Sequence, residues 1–319
     1  MNEMPKKTVV FLVGPTACHK TEAAVELCKR LNGEVVSADS VQVYRDMDIG
    51  SAKPTMEERQ GIPHHMMDCV SIDDRAFSVA KYREMALAAI QEIQKRGKLP
   101  VVTGGSGLYI SALTSPLNFA VPGNPEIRAA LNAKYDAAPE QVYRQLQLAD
   151  PATAERLHPN DKKRIVRALE IFQSSGKPLS TYGNAFHTVQ DEALPYNVLL
   201  LGVTMERDVL YQGIDMRVER MMETGLLDEA RRIYTMGYDR QLPAMQSIGY
   251  KQLFAFFDGT CSCEEAVEAI KRDTRRYAKR QLTWFRRDTR IHWTDVTQWT
   301  PAHIDAMEQT IREREESHA

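Results

Sequence analysis

The sequence predicts an α/β fold in which a parallel β-sheet is flanked by helices and carries an all-helical insertion. Short apolar runs alternate with segments of helical periodicity up to Ser115-Pro116, and only helical patterns follow as far as about Gly176. A strand pattern returns at Val198–Val203. The chain has 319 residues, which is too long for one compact core of ordinary size. These observations predict a core domain interrupted by a second, helical domain.

The first elements follow one another at short spacing. Val9–Val13 is a continuous apolar run, as expected for a central parallel strand covered on both faces. Thr21–Leu31 and Ser78–Arg96 carry apolar residues every three to four positions, which predicts helices. Glu34–Ala38 and Leu99–Thr103 are predicted strands. Strands that alternate with helices in this way favour a parallel sheet.

Helix-start signals dominate the middle of the chain. Asn124-Pro125 and Asp150-Pro151 are cap-then-proline starts. We expect Asn160 to cap a helix that runs to Ser175 and stops at Gly176. The predicted insertion covers 118–187.

The remainder of the chain returns to the core domain. After the strand at Val198–Val203, long helices are predicted through about Arg286, and Ile291-His292-Trp293 is a candidate for a last short strand. The tail, IREREESHA, is predicted to be a solvated helix or a frayed end. The predicted core domain therefore combines 1–117 with 188–319.

Composition bounds the function only loosely. A net charge of −2, with 43% apolar and 26% charged residues, is ordinary for a soluble globular protein and gives no sign of a nucleic-acid partner. Five scattered cysteines argue against a disulfide framework. The N-terminus lacks a signal-peptide layout, and no run of about 18 apolar residues occurs. We expect a cytoplasmic protein with no membrane partner.

The stretch VVFLVGPTACHKT (9–21) has the pattern of a phosphate-binding loop. Gly14-x4-His19-Lys20-Thr21 matches three of the four fixed positions of the P-loop, with His19 in place of glycine. In such loops backbone N–H groups face phosphate oxygens, lysine adds charge and the hydroxyl binds Mg²⁺. The strand before and the helix after the loop favour this interpretation over a plain strand–helix turn. The core is therefore predicted to be P-loop NTPase-like.

An aspartate follows the second predicted strand. Asp39 comes after Val35-Val36-Ser37-Ala38, whereas the third predicted strand ends in Thr103-Gly104-Gly105 with no acid. A carboxylate at the carboxyl end of a strand beside the loop lies in the crevice where ligands bind in open α/β sheets. A metal ligand, a general base and a helix cap all remain open as its role.

Basic residues cluster locally. Lys271–Arg287 contains eight basic residues and one acid, interleaved with Tyr277 and Trp284. A second cluster, Lys162-Lys163-Arg164 with Arg167, lies in the predicted insertion. A solvated helix face is the common explanation of a charge run, but segregation in a chain of net charge −2 favours contact with RNA or DNA.

Taken together, these motifs resemble those of the tRNA dimethylallyltransferases (tRNA isopentenyltransferases). The resemblance spans nearly the whole chain, in order and at family-like spacing. The matching stretches are GPTACHKT (14–21), GEVVSADSVQVYRDMDIGSAKP (33–54), PHHMMD (63–68), FSVAKYR (77–83), GGSGLYI (104–110), HPNDKKRIVRALEIFQSSGK (158–177), QSIGYKQ (246–252) and RRYAKRQLTWFR (275–286).

The resemblance implies a prenyl transfer with release of diphosphate. A dimethylallyl group would pass from dimethylallyl diphosphate to the exocyclic amine of the adenosine 3′ to the anticodon, in tRNAs reading codons that begin with U. The phosphate in the loop would be the donor's diphosphate, and the adenine would be extruded to be reached. Mg²⁺ is the implied cofactor, the anticodon stem-loop of tRNA the implied partner, and a monomer the expected state.

The resemblance also implies site residues. Asp39, Thr21, Lys20 and Arg217 would be catalytic, with Asp39 as the base and Thr21 as the Mg²⁺ ligand. The loop itself would bind diphosphate through Gly14, Pro15, Thr16, Ala17, Cys18, His19, Lys20 and Thr21. The tRNA-contacting residues would be Asp39, Ser40, Val41, Gln42, Ser106, Arg128, Lys163, Arg164, Ile165, Val166, Arg167, Gln246, Ser247, Ile248, Gly249, Tyr250, Lys251, Lys279, Arg280, Gln281, Leu282, Thr283, Trp284, Phe285 and Arg286.

The chain departs from the family pattern at two places. Family loops usually read GPTASGKT, so Cys18 and His19 differ, and Gly213 and Met216 stand where arginines are common. We expect His19 to adopt positive φ at a cost of about 1–3 kcal/mol, offset in part by a protonated imidazole facing the diphosphate. This predicts weakened donor affinity that improves below neutral pH.

Two other functions remain open from the sequence. One is a P-loop kinase of small molecules or nucleotides, which the basic helix and the missing second acid disfavour. The other is a catalytically impaired tRNA-binding protein, suggested by His19 and Gly213. Product formation from the prenyl donor separates the first hypothesis from both.

Overall fold

The computed structural model of the protein describes residues 6–115, 121, 123–182 and 194–317. Its strands are β1 (Thr8–Val13), β2 (Gly33–Ser37), β3 (His64–His65), β4 (Leu99–Gly104), β5 (Asn197–Thr204) and β6 (His292–Asp295). Its α-helices are α1 (Lys20–Arg30), α2 (Met56–Arg59), α3 (Val79–Lys95), α4 (Gly107–Thr114), α5 (Pro125–Ala137), α6 (Pro139–Ala149), α7 (Pro151–Arg156), α8 (Lys162–Ser175), α9 (Arg207–Glu223), α10 (Leu226–Thr235), α11 (Tyr250–Phe257), α12 (Cys263–Phe285) and α13 (Pro301–Glu316). Short 3₁₀ helices cover Leu179–Tyr182 and Ala244–Gln246.

The six strands form one parallel sheet in the order β3-β2-β4-β1-β5-β6. The predicted α/β class with a parallel sheet is confirmed. One detail of the prediction is wrong: β4 lies between β1 and β2, so Asp39 does not follow a strand adjacent to the phosphate loop. The carboxyl ends of β1, β2 and β4 nevertheless share one edge of the sheet, which is where open α/β sheets bind ligands.

The central strand is buried on both faces. Val9, Phe11 and Val13 pack into one apolar cluster, while Val10 and Leu12 pack into another. Successive side chains of a strand point to opposite faces, so a run with no polar residue indicates cover on both sides. This burial explains why the apolar run predicted the strand so well.

Helix ends follow local capping chemistry. Ser78 accepts a hydrogen bond from the Lys81 N–H and begins α3, as predicted from its sequence pattern. The cap of α8 is Asp161 rather than the predicted Asn160, because the Asp161 carboxylate accepts from Arg164 N. Gly176 ends α8 with φ of 70°, as predicted.

The chain divides into two compact units, Met1–Thr114 with Asp191–Ala319, and Ser115–Gln190. The first contains the sheet. The second is helical in its described residues and has its own apolar core, which includes Leu131, Leu146 and Ile165. The insertion predicted over 118–187 falls within this second unit.

The C-terminal segment forms part of the core. Helix α13 buries Ile304, Met307 and Ile311 against the cluster that contains α1 and one face of β1. Of the two predictions for the tail, the helix is confirmed as far as Glu316, but Ile311 is buried rather than solvated. Residues 318 and 319 of the predicted tail lie outside the described residues.

Two further findings concern membrane-spanning helices and the cysteines. Within the described ranges, no helix is both long and apolar enough to cross a membrane. All five cysteines have free thiols, with Cys18 and Cys28 buried.

Candidate active site

The phosphate loop joins β1 to α1 through a strained backbone. Gly14 has φ of 151°, and a Cβ there would lie 2.5 Å from the carbonyl oxygen of Val203. Ala17 and His19 adopt left-handed φ values of 61° and 55°. Cys18 is buried, and its thiol donates to the Pro15 carbonyl at 2.9 Å. Burial raises the pKa of this thiol, so Cys18 supports the loop as a neutral group.

Two cations line a cavity beside the loop. Lys20 donates from Nζ to the Pro15 carbonyl at 2.5 Å, and Arg217 donates from Nη1 to the Thr16 hydroxyl at 3.3 Å. Both side chains are partly buried, and this burial lowers the pKa of each group. Neither forms an ion pair with a carboxylate of the described residues. Two partly buried cations, Lys20 at the start of α1 and Arg217 of α9, favour binding of an anion in this cavity.

Asp39 lies across the same cavity. Its Oδ1 accepts from the N–H groups of Val41 at 2.8 Å and Gln42 at 3.3 Å, which fixes the carboxylate at the start of the loop after β2. Among the described residues, none donates a hydrogen bond to Oδ2. This oxygen is therefore left to accept a proton from a ligand.

The end of β4 and the loop that follows it lie very close to the segment after β2 and to α12. A Cβ at Gly104 would lie 2.2 Å from the Ala38 carbonyl oxygen, and one at Gly105 would lie 1.9 Å from Nε2 of Gln281. Only glycine fits at position 104, because the clash there is with backbone, whereas a side chain at position 105 would displace the amide of Gln281. The Ser106 hydroxyl accepts from Ser40 N at 2.9 Å and so ties this loop to the one that carries Asp39.

Gln281 of α12 connects two loops of the site. Its Oε1 accepts from Thr16 N at 2.9 Å, and its Nε2 donates to the Gly105 carbonyl at 2.9 Å. The side chain is buried, so both hydrogen bonds are shielded from water. Gln281 was expected to contact tRNA, but the structure makes it a bridge inside the protein.

The cavity has a volume of about 410 Å³. Polar groups at its wall include Lys20, Thr21, Asp39 and Arg217. A second part of the lining is apolar and consists of Ile214, Val218, Met221, Leu226 and Ile270. The lining therefore offers charge for an anion and an apolar surface for a hydrocarbon in one space.

Many residues that the resemblance implied do meet at this cavity. They are Thr16, Lys20, Thr21, Asp39, Ser40, Val41, Gln42, Arg217, Gln246, Ser247, Ile248, Gly249, Lys251, Arg280 and Gln281. The other implied residues of this unit do not line it: Gly14, Pro15, Ala17, Cys18, His19, Ser106, Tyr250, Lys279, Leu282, Thr283, Trp284, Phe285 and Arg286.

Several of these side chains are buried and support the site from behind. Tyr250 is fully buried, and its hydroxyl donates to Glu229 at 2.7 Å. The same Glu229 carboxylate accepts the N–H groups of residues 48–50 at 2.9–3.0 Å. Phe285 lies in the core. The side chains of Tyr250 and Phe285 are therefore not accessible to a partner, while tRNA contact by the stretches that contain them stays a prediction.

The outer face of α12 carries the exposed part of the basic cluster. Lys279, Arg280, Thr283 and Arg286 are exposed. Arg275, by contrast, pairs with Asp215 of α9. The helix therefore has an exposed basic face and an inner face, on which the ring of Trp284 packs over Gly107.

The helical unit shows a similar division. Its Arg128 and Arg167 both pair with Glu170, which is fully buried, at 3.0 Å. Lys163 and Arg164 are exposed. Ile165 and Val166 are buried in the unit's own core, so their side chains are not accessible, and tRNA contact by this stretch stays a prediction. Only the polar members of this stretch are accessible.

The expectation that the His19 imidazole faces the diphosphate site is wrong. The imidazole does not line the cavity; it stacks on Trp299 at 5.1 Å between ring centroids and lies 3.1 Å from the Glu22 carboxylate. Met216 is 64% exposed and also lies outside the cavity lining, while a Cβ at Gly213 would face the Ala17 carbonyl at 3.9 Å. The proposed pH-dependent help from His19 to a bound diphosphate therefore loses its structural basis.

Sequence reasoning missed several lining residues. His64 follows α2, Tyr277 lies on α12, and Ile214, Val218 and Met221 share one face of α9 with Arg217. Burial raises the pKa of Tyr277 to about 12, and the negative charge of Asp39 contributes. The signal for the α9 residues was available, because they lie at helical spacing around a residue already assigned to the site.

Comparisons with known proteins show the family to which the chain is related. The family model described as IPP transferase matches residues 42–288. A tRNA dimethylallyltransferase of Geobacter metallireducens is 46% identical over 98% of both chains, and one of Anoxybacillus flavithermus is 45% identical over 91% of this chain and 90% of the relative.

Solved structures give the same result. The tRNA isopentenylpyrophosphate transferase of Bacillus halodurans is 41% identical, covers 98% of both chains and has a TM-score of 0.73. A eukaryotic dimethylallyltransferase acting on tRNA has a TM-score of 0.80 at 29% identity, over 96% of this chain and 78% of its own. The chain belongs to the IPP transferase family.

Proposed function

We propose that the protein transfers a dimethylallyl group from dimethylallyl diphosphate to the exocyclic amine of the adenosine 3′ to the anticodon, in tRNAs reading U-starting codons. The relatives named above are tRNA dimethylallyltransferases, which supports the reaction class. The observation that carries the proposal is one cavity lined by the phosphate loop, by Asp39 and by an apolar wall. These are the three features that a prenyl diphosphate and an attacking amine require.

Lys20 and Arg217 bind the diphosphate in this proposal. Both are partly buried cations that line the cavity beside the N-terminus of α1, where the helix dipole also favours negative charge. Their attraction grows as the C–O bond to the leaving diphosphate breaks and charge accumulates there. The Thr21 hydroxyl lines the same cavity and suits Mg²⁺ together with phosphate oxygens. When bound, that ion supplies further charge neutralisation for the leaving group.

Asp39 accepts the proton that the amine loses. The amine nitrogen forms a bond to the allylic carbon while the carbon–oxygen bond to diphosphate breaks. The nitrogen then carries one proton too many, and Oδ2 of Asp39 takes it. The two backbone N–H groups on Oδ1 hold the carboxylate in place for this transfer.

The apolar wall receives the five-carbon group. Ile214, Val218 and Ile270 offer no hydrogen-bonding partner and exclude water from the reacting carbon. The cavity volume of about 410 Å³ lies in the range of small-molecule sites. An apolar lining also suppresses hydrolysis of the donor by water.

The exposed basic residues of α12 support tRNA as the acceptor. Lys279, Arg280 and Arg286 lie on one helix, and Arg280 also lines the cavity. Phosphate contacts of this kind set affinity, while the extruded adenine is selected inside the cavity. A cytoplasmic, monomeric state remains our prediction.

A kinase function is disfavoured by the sheet order. Of the two strands that flank β1, β4 lies on the side of Asp39; it ends in Thr103-Gly104, and Gly105-Ser106 rather than an acid follows it. The experiment that tests the choice follows diphosphate release with an undermodified anticodon stem-loop. We expect release with dimethylallyl diphosphate and no phosphate transfer from ATP. A matched stem-loop with guanosine in place of the target adenosine should abolish the release, and phosphate transfer from ATP would contradict the proposal.

A further inference from the structure

The residue that replaces glycine in the phosphate loop is stacked in a column of three rings. The His19 imidazole lies parallel to the Trp299 indole, with an interplanar angle of 5° and centroids 5.1 Å apart. The other neighbour of Trp299 is His303, at 5.6 Å and 9°. The column thus joins the loop before α1 to the segment that begins α13.

His19 needs such support because of its backbone. It is the N-cap residue of α1 with φ 55° and ψ 12°, a conformation that costs an L-residue free energy which glycine avoids. Its side chain makes no capping hydrogen bond to α1. Inside its own helix the ring meets only the exposed Glu22 carboxylate, and such surface pairs contribute little.

Trp299 is held in place by helix α13, whose packing does not depend on the stacked rings. Helix α13 buries Ile304, Met307 and Ile311 in the core. Arg30 of α1 also pairs with Asp305 at 2.6 Å. The helix is therefore docked on α1 by other contacts, and the indole is held where the His19 ring meets it.

We propose that Trp299 is a positioning residue for the phosphate loop. Its indole face holds the His19 ring, backed by His303, and thereby keeps the left-handed backbone from which Lys20 and Thr21 begin α1. The inference rests on the proposed donor site and adds a residue outside the cavity to it. It also explains how this chain tolerates a side chain where P-loops carry glycine.

The test is binding of inorganic diphosphate with Mg²⁺, measured by calorimetry on the full chain. Four proteins form a cycle: the wild type, Trp299→Ala, His19→Gly, and the double variant. A stacked pair contributes enough to weaken diphosphate binding by about two- to tenfold in Trp299→Ala. In the His19→Gly background the same change should alter affinity by less than about twofold, because glycine needs no stacking partner.

Two further variants separate positioning from general destabilisation. Trp299→Phe keeps a ring and should restore most of the affinity. Asp305→Ala breaks an ion pair between α1 and α13 but leaves the column, so diphosphate affinity should stay at the wild-type value while the melting temperature falls slightly.

Each outcome decides between the two claims. Equal diphosphate affinity in the wild type and Trp299→Ala would overturn the role of Trp299 and leave the proposed reaction intact. An equal loss in both backgrounds would also overturn it, since the effect would then not pass through His19. A wild type that binds no diphosphate would overturn both the donor site and this inference. If the four proteins bind diphosphate as expected but the wild type transfers no prenyl group, only the proposed reaction is overturned.

Discussion

Asp39 shows how a single side chain is prepared for chemistry by its backbone surroundings. The end of β2 places it at the edge of the sheet, and the N–H groups of Val41 and Gln42 occupy only Oδ1. Lys20 and Arg217 line the same cavity, so a carboxylate and two cations flank the space where the proposed substrates meet. This arrangement supports the proposed roles, in which Asp39 takes a proton from one substrate while the cations bind the other.

The first prediction concerns this carboxylate. Asp39→Ala should lower turnover by about 10²–10⁴, the usual effect of removing a positioned base, while tRNA affinity persists. Asp39→Asn is the matched variant, since it keeps an oxygen for the two N–H groups but removes the base. Single-turnover rates should fall in both. Turnover close to wild type in Asp39→Asn would assign the residue to loop structure alone.

A second residue-scale prediction concerns Glu34, which is 3% exposed. Burial raises its pKa, but hydrogen bonds from Lys98, His65 and Arg96 outweigh burial and bring the pKa to about 2. A depressed pKa stabilises the folded state above the unfolded pKa of about 4.3, and this contribution is lost as the pH falls toward 2.

The measurement is the free energy of unfolding from urea denaturation between pH 5 and pH 2. The wild type should lose about 2 kcal/mol more than Glu34→Gln over this window, after allowance for solvent screening by the partly exposed cations. Parallel curves for the two proteins would show that Glu34 is not the group responsible.

Among the elements, α12 contributes both a buried side chain that bridges two loops and exposed basic side chains. Gln281 is buried and bridges Thr16 to Gly105. Lys279, Arg280 and Arg286 are exposed, and Arg280 also lines the cavity. A helix that contacts the acceptor on one side and the donor loop on the other links the two proposed binding events. The two faces make separable predictions.

The outer face should act through charge. Arg280→Ala should weaken tRNA binding and reduce the slope of log affinity against log salt by about 0.7–0.9, the effect of losing one phosphate contact. Arg312→Ala removes an exposed arginine of α13 that pairs with Glu308, and it serves as the control. An unchanged slope for Arg280→Ala would remove α12 from the tRNA-binding surface.

The inner face should act through the donor loop. Gln281→Ala leaves the buried Thr16 N–H and Gly105 carbonyl without partners, which costs about 1–3 kcal/mol for each. We expect a lower melting temperature and a donor KM raised by about tenfold. Thr283→Ala, two residues along on the exposed face, should change neither. A normal donor KM in Gln281→Ala would show that the bridge only stabilises the fold.

The sequence predicted elements better than it predicted their arrangement. β1, β2, β4 and β5 were recognised to within one residue at most ends, because buried parallel strands are continuous apolar runs. Periodicity carries no information on strand order, so the position of β4 beside β1 was missed. The Gln281–Thr16 bridge spans 265 positions and has no local signal either.

His19 illustrates the same limit in one side chain. Its left-handed backbone was predictable from the glycine that P-loops carry at this position. The direction of its ring was not, because that direction depends on Trp299, which lies 280 positions away in the chain. Contacts of this kind are set by the docking of α13, which appears only in the folded structure.

For the whole molecule, we infer that this chain prenylates a tRNA adenosine. The direct measurement is mass spectrometry of nucleosides from undermodified tRNA after incubation with the protein, Mg²⁺ and dimethylallyl diphosphate. We expect isopentenyladenosine from wild-type protein, confined to tRNAs that read U-starting codons, and a drop of about 10² or more in its rate of formation with Asp39→Ala. Absence of isopentenyladenosine at every donor concentration, with tRNA still bound, would contradict it.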